Sequence, residues 1–187
     1  MCPACGSVDR TRRMWQLLNN GLLNEGITVL DFSPARDIYR LMRKQKGINY
    51  FSTDLSGEFI ADYNYDITNI DAVDNKFDLI ICYHILEHII DDIKAMQELY
   101  RVLKPKGHIL VQTPFKEGKI YEDYTISSSE DRLKHFGQDD HVRIYSVEGL
   151  KNRLISVGFT VEVLSYNDEP NNINGLKNNE HVLLLSK

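Results

Sequence analysis

The stretch TVLDFSPARD, residues 28–37, decides how the chain is read. Val29 and Leu30 form an apolar, β-prone run that ends in an acid, Asp31. Ser33-Pro34 follows at once. A serine can cap free helical N–H groups, and proline suits the first helical position, so the pair reads as a helix start. A buried strand over 28–32 is therefore expected to pass directly into a helix whose body covers 36–46 and which Gly47 closes. Ligands of open α/β sheets sit at such strand-to-helix turns. This turn holds no glycine, and Pro34 removes one N–H. A pyrophosphate approaching the backbone needs glycines there, so a dinucleotide fits badly.

Outward from this turn, apolar strands alternate with amphipathic helices. Residues 49–53 read as a second strand, 63–66 as a short third, and FDLIIC (77–82) as a central parallel strand. Residues 91–103 carry Ile93, Met96, Leu99, Tyr100 and Leu103 on one helical face, with Pro105 and Gly107 as the stop. A strand over 108–113 follows. Residues 114–145 form a polar, aromatic insertion too long for a plain connection. Residues 146–157 return to a helix, 159–165 and 181–186 read as closing strands, and NDEPNNINGLKNN between them reads as a loop. Upstream, residues 1–27 hold a cysteine pair and a helix over 12–23, an N-terminal arm before a domain over 28–187. The alternation implies an α/β fold, a doubly wound, mainly parallel sheet with helices on both faces.

Composition narrows the function. The chain has 187 residues with 22 Lys and Arg against 27 Asp and Glu, a net charge of −5. A mildly acidic chain is a poor general binder of nucleic acid. No apolar run is long enough to span a bilayer, and three cysteines make no even disulfide framework, so a reducing cytoplasm is the default expectation. The number of protein copies is not readable.

Acids recur at the ends of successive strands: Asp31, Asp54 and Asp66. Asp54 stands where an acid hydrogen-bonds ribose hydroxyls. An acid beside an apolar side chain, as in Asp66-Ile67, suits an adenine. With VLDFSPA, YFSTDL, YDIT, FDLIICYHILEHI and DDIKAMQELYRVLKPKGHILVQTP on the page, the chain resembles the class I S-adenosylmethionine-dependent methyltransferases over roughly residues 28–165. Their fold is Rossmann-like. Within them it is most similar to a subgroup carrying FGQxDHVRxY, here HFGQDDHVRIY (135–145). That subgroup has Glu where this chain has Ala35, and Asp31 is the acid left to replace it. The resemblance implies S-adenosylmethionine as cofactor. Asp31, Phe32 and Ser33 then line its methionine and ribose region, Asp54 and Leu55 hold ribose and adenine, Asp66 and Ile67 flank the adenine, and Cys82, Tyr83 and His84 close over it.

Three motifs remain. HILEH (84–88) matches the H-x-x-E-H pattern of zinc peptidases, but it directly follows a buried strand, so both histidines cannot share a helical face. Leu86, Glu87 and His88 are read instead as packing and capping residues. Cys2 and Cys5 supply two thiolates where zinc needs four ligands, and no metal site is expected. The polar cluster at 139–145 reads as an active-site loop, with His141, Arg143 and Tyr145 on one side of an extended backbone. His141 is the candidate base, Asp140 its orienting partner, and Arg143 the clamp for an anionic acceptor group. The expected activity is methyl transfer to a small-molecule acceptor, a sugar or other hydroxyl compound. A non-catalytic binding or scaffold module with the same fold is the rival, supported by Ala35.

Overall fold

The computed structural model describes residues 1–167 and 171–187. Six strands form one sheet around the opening stretch. β1 (Thr28–Phe32) pairs in parallel with β2 (Asn49–Thr53) on one side and β3 (Phe77–Tyr83) on the other. β4 (Leu103–Gln112) pairs in parallel with β3. β8 (Glu180–Ser186) runs antiparallel beside β4, and β7 (Thr160–Tyr166) runs antiparallel beside β8. The sheet order is β2-β1-β3-β4-β8-β7, a mainly parallel mixed sheet. From β1 the chain moves one way to β2 and then crosses to the other side for β3. That reversal opens a crevice beyond the carboxyl ends of these strands.

Helices cover both faces. α1 (Asp9–Leu17) and α2 (Arg36–Met42) pack on one face, where Met14, Leu18, Ile38 and Met42 are buried with Val29, Leu79 and Ile81. α3 (Asp92–Val102) and α5 (Val147–Val157) cover the other, where Met96, Leu99, Leu150 and Leu154 meet Leu30, Ile80 and Ile109. The alternation of side chains along each strand divides the two sets. Asp91 caps α3 by accepting from the Lys94 N–H, and Ser146 caps α5 by accepting from Gly149.

Several local readings change. α2 begins two residues after Pro34, and its first turn has no side-chain cap. Ser33 instead adopts a left-handed φ of 45°, and its N–H donates to the Thr53 carbonyl. Residues 63–66 do not form a strand; Tyr63 makes one parallel bridge to Thr53. The helix expected over 12–23 starts at Asp9 and passes into a π turn at Leu18–Leu22. β4 begins at Leu103, with an irregular register that absorbs Pro105 and Gly107. The insertion is itself ordered: β5 (Tyr121–Glu122) pairs with β6 (Arg143–Ile144), and α4 (Ser129–Phe136) lies between them. Part of the loop expected at 167–179 lies outside the described residues. No helix among the described residues is long and apolar enough to cross a membrane.

Candidate active site

The crevice has a volume of about 850 Å3 and is lined from α1, the ends of β1, β2 and β3, and the insertion. Asp31, Phe32, Ser33, Asp54, Leu55, Asp66, Ile67, Tyr83 and His84 all line it, as do Asp140 and His141. One end is acidic. Asp31 is buried, and the Tyr50 hydroxyl donates to its Oδ2 at 2.8 Å. Burial raises the Asp31 carboxyl to about 7, with the Tyr50 hydrogen bond pulling the other way. Asp54 accepts from Ser33 Oγ at 2.7 Å through Oδ1. Its Oδ2 accepts from Ser56 Oγ and from the Gly57 and Phe59 N–H groups. Burial opposes the Asp54 charge, yet these donors hold its carboxyl below the ordinary range. Three donors share Oδ2 and one takes Oδ1, so Oδ1 is the oxygen with room for a ligand hydroxyl. Asp66 folds into a turn of its own, accepting from the Thr68 N–H and hydroxyl through Oδ1, and these bonds lower its carboxyl. Leu55 is exposed and Ile67 buried.

Cys82 is a correction. It points away from the crevice, into the α3 face with Ile80, because neighbouring strand residues alternate. Full burial also pushes its thiol up.

The other end of the crevice carries imidazoles. His84, at the end of β3, has a left-handed φ of 56°, and its Nδ1 lies 3.3 Å from Glu87 Oε1. Leu86–His88 make one 3-10 turn. The insertion docks on this turn through Val142, whose N–H donates to the Glu87 carbonyl at 2.9 Å. That bond brings the His141 ring edge-on to the His88 ring, 4.6 Å between centroids. Desolvation holds His141 below its ordinary pKa, which favours the neutral imidazole.

Two catalytic assignments need correcting. Asp140 does not orient His141; its Oδ2 lies 3.0 Å from His88 Nδ1. Arg143 does not reach the crevice. It is fully buried, and its guanidinium donates to Glu122 and to the Leu86, Ile89 and Ile90 carbonyls. Beside it the Tyr145 hydroxyl donates to Asp92, which Arg153 also meets. Thus His141, Arg143 and Tyr145 all turn toward residues 86–92, but as a bolt between insertion and sheet. His88 and Glu87, read from the sequence as packing and capping residues, stand at the site: His88 lines the crevice, and Glu87 is buried with both carboxylate oxygens lacking a hydrogen-bond partner. Arg10, Thr11 and Met14 of α1 line the wall as well. Their signal was the basic, aromatic stretch over residues 8–15, which by sequence alone reads more readily as a solvated face than as a substrate contact.

The comparisons with known proteins agree with this architecture. A methyltransferase from Archaeoglobus fulgidus, described as S-adenosylmethionine-dependent, superposes with a TM-score of 0.66 at 16% identity, covering 97% of this chain and 95% of that one. At that identity the likeness shows the fold. An uncharacterized protein of Methanocaldococcus jannaschii is 33% identical over 85 residues, 43% of this chain and 37% of its own length. A ubiquinone/menaquinone biosynthesis C-methyltransferase of Hydrogenovibrio crunogenus is 31% identical over 100 residues, 49% of this chain and 39% of its own. The matches thus span well under half of those curated relatives. The family described as "Methyltransferase domain" matches residues 8–164, most of the chain and every strand around the crevice. The chain belongs to the methyltransferase-domain family.

Proposed function

We propose that the protein transfers a methyl group from S-adenosylmethionine to a small-molecule acceptor, a sugar or other hydroxyl compound, and that it groups with the methyltransferases carrying FGQxDHVRxY. The observation that carries this reading is the two-ended crevice at the switch point. Its volume of about 850 Å3 falls in the range of roughly 300–1,000 Å3 typical of small-molecule sites. Acids at β1 and just after β2, with Asp66 in the turn beyond, suit a cationic, ribose-bearing cofactor. The glycine-free first turn suits one without a pyrophosphate. The imidazole end suits an acceptor that must lose a proton.

In this reading Asp31 faces the cofactor's cationic methionine part, Asp54 Oδ1 takes a ribose hydroxyl, and Leu55 and Ile67 sandwich the adenine. Residues of the insertion cover the acceptor and exclude water. The reaction is in-line: the acceptor oxygen bonds the methyl carbon as the carbon–sulfur bond breaks. The protein contributes chiefly by holding the two in line. A neutral His141 is in the protonation state to take the acceptor's proton.

Calorimetry with S-adenosylmethionine, S-adenosylhomocysteine and NAD tests the reading. The first two bind and NAD does not. Asp54→Ala weakens cofactor binding by about tenfold or more, since a hydrogen bond to a charged group contributes ~1.5–3 kcal/mol. NAD binding without S-adenosylmethionine binding refutes the reading. Tight cofactor binding with no turnover across a panel of hydroxyl acceptors favours a non-catalytic module.

A further inference from the structure

Glu87, His88 and His141 each direct a ligand-type atom to one point at the imidazole end of the crevice, all within 4.8 Å of one another. We propose that these three side chains bind a divalent transition-metal ion of the zinc type, and that the ion takes the acceptor's hydroxyl oxygen as its fourth ligand. The inference rests on the methyl-transfer reading and narrows its acceptor to a compound that coordinates through oxygen.

Four observations carry it. First, Glu87 is 1% exposed and neither carboxylate oxygen has a hydrogen-bond partner. An ionised carboxylate in that state carries a large desolvation cost unless a cation faces it. His84 Nδ1, at 3.3 Å, makes an approach without hydrogen-bond alignment, so it leaves that need unmet. Second, His141 is 5% exposed and its Nε2 is buried without a partner. Third, Asp140 engages His88 through Nδ1, which leaves Nε2 as that ring's free nitrogen. Metal-ligating histidines characteristically have their other nitrogen fixed by a carboxylate or a backbone carbonyl, and Asp140 is such a partner for His88. Fourth, two histidines and one glutamate, with an open side toward a crevice, are a donor set of catalytic zinc sites.

The spacing requires a small closure. Two ligands about 2.1 Å from a tetrahedral zinc ion lie roughly 3.4 Å apart. The His88 side chain, 29% exposed, is the one with room to rotate inward. Glu87 and His141 are already held by the backbone bond from Val142 to Glu87.

With the ion bound, His141 donates its lone pair to the metal rather than to a proton. The acceptor hydroxyl coordinates, its acidity rises, and its proton passes to water. The metal-held oxygen then forms the carbon–oxygen bond, and the methyl–sulfur electron pair returns to sulfur. The products are the methyl ether, neutral S-adenosylhomocysteine and one released proton. Without the ion, His141 is the slower, unaided base.

The test uses the full chain carrying Cys2→Ser and Cys5→Ser, which removes the two thiols that are not buried, after treatment with chelator. Zinc titrated by calorimetry binds at one equivalent per chain. Cobalt gives visible bands of a low-coordinate site without thiolate charge transfer. Glu87→Gln and His141→Ala each weaken zinc binding by roughly a hundredfold or more. His88→Ala, at a partly exposed position, does the same with little risk to folding. Binding of S-adenosylhomocysteine by each variant reports that the crevice is intact. No zinc binding in the Cys2→Ser, Cys5→Ser protein, or zinc binding indifferent to all three changes, overturns the proposal. Zinc bound at these residues with no S-adenosylmethionine binding would overturn the methyl-transfer reading and the ion's part in it, and leave the metal site standing.

Discussion

Asp31 shows how one residue can link cofactor affinity to pH. Its carboxyl is raised to about 7 because it is buried. At pH below the ordinary carboxylate range, both folded and unfolded chains hold the proton. As pH climbs from that range toward 7, the unfolded chain releases it and the folded chain does not, so this residue makes folding progressively less favourable over that window. Above 7 both forms are ionised and the loss is complete. A cationic ligand facing the carboxylate reverses the preference. Affinity for S-adenosylmethionine is therefore expected to rise as pH passes through 7, and Asp31→Asn to flatten that rise while lowering affinity at high pH. Calorimetry at several pH values decides it; an unchanged slope in the variant removes Asp31 from the cofactor's charged end. Ser33 belongs to the same scale. Its left-handed backbone supplies the conformation a glycine would normally supply. The bond to Asp54 secures it, so a turn without glycine still presents a site.

At the scale of elements, the insertion is bolted to the turn after β3 rather than hung over it. Arg143 satisfies three carbonyls and meets Glu122, and the Arg153–Asp92–Tyr145 contacts extend the bolt to α3 and α5. Removing one partner of a buried, hydrogen-bonded ion pair costs ~3–5 kcal/mol. Arg143→Ala should therefore lower the melting temperature sharply in a thermal-unfolding scan. Arg143→Lys should recover little of it, because a single ammonium cannot reproduce a planar fork of donors. A mild effect of both would return Arg143 to the role of acceptor clamp. This bolt marks where the sequence stopped being readable. The strands around Leu30, Ile80 and Ile109 and the α3 stripe are local patterns, and they were legible. The fate of Arg143 depended on carbonyls of residues 86, 89 and 90, and the pairing of Asp140 with His88 depended on how the insertion folds back. A polar residue in a long insertion looks alike whether it faces solvent, substrate or an uncapped turn. The zinc-peptidase spacing at His84 and His88 was judged on helical geometry. The nearby ligand-type atom comes from His141, which no local spacing reveals.

On the scale of the whole molecule, the sheet is two neighbourhoods joined at β4. Parallel β1, β2, β3 and β4 carry the crevice, and antiparallel β8 and β7 extend the sheet away from it. Leu183 sits in β8 with no exposure, opposite Val111 on one side and Val163 on the other. Leu183→Ala is expected to destabilise the fold by about 2–5 kcal/mol. In hydrogen exchange it should speed the β7 amides most while cofactor affinity stays unchanged. Exchange speeding equally in β1 and β7 would show a single cooperative sheet instead. The position of β8 also has a consequence in time. β7 comes earlier in the chain than β8, yet β8 lies between it and the rest of the sheet. During synthesis, β7 emerges from the ribosome before the strand that must bridge it to β4. The walls of the crevice come from chain that is already out by then, so the cofactor could find its pocket on a nascent chain whose outer strand is still waiting for a neighbour.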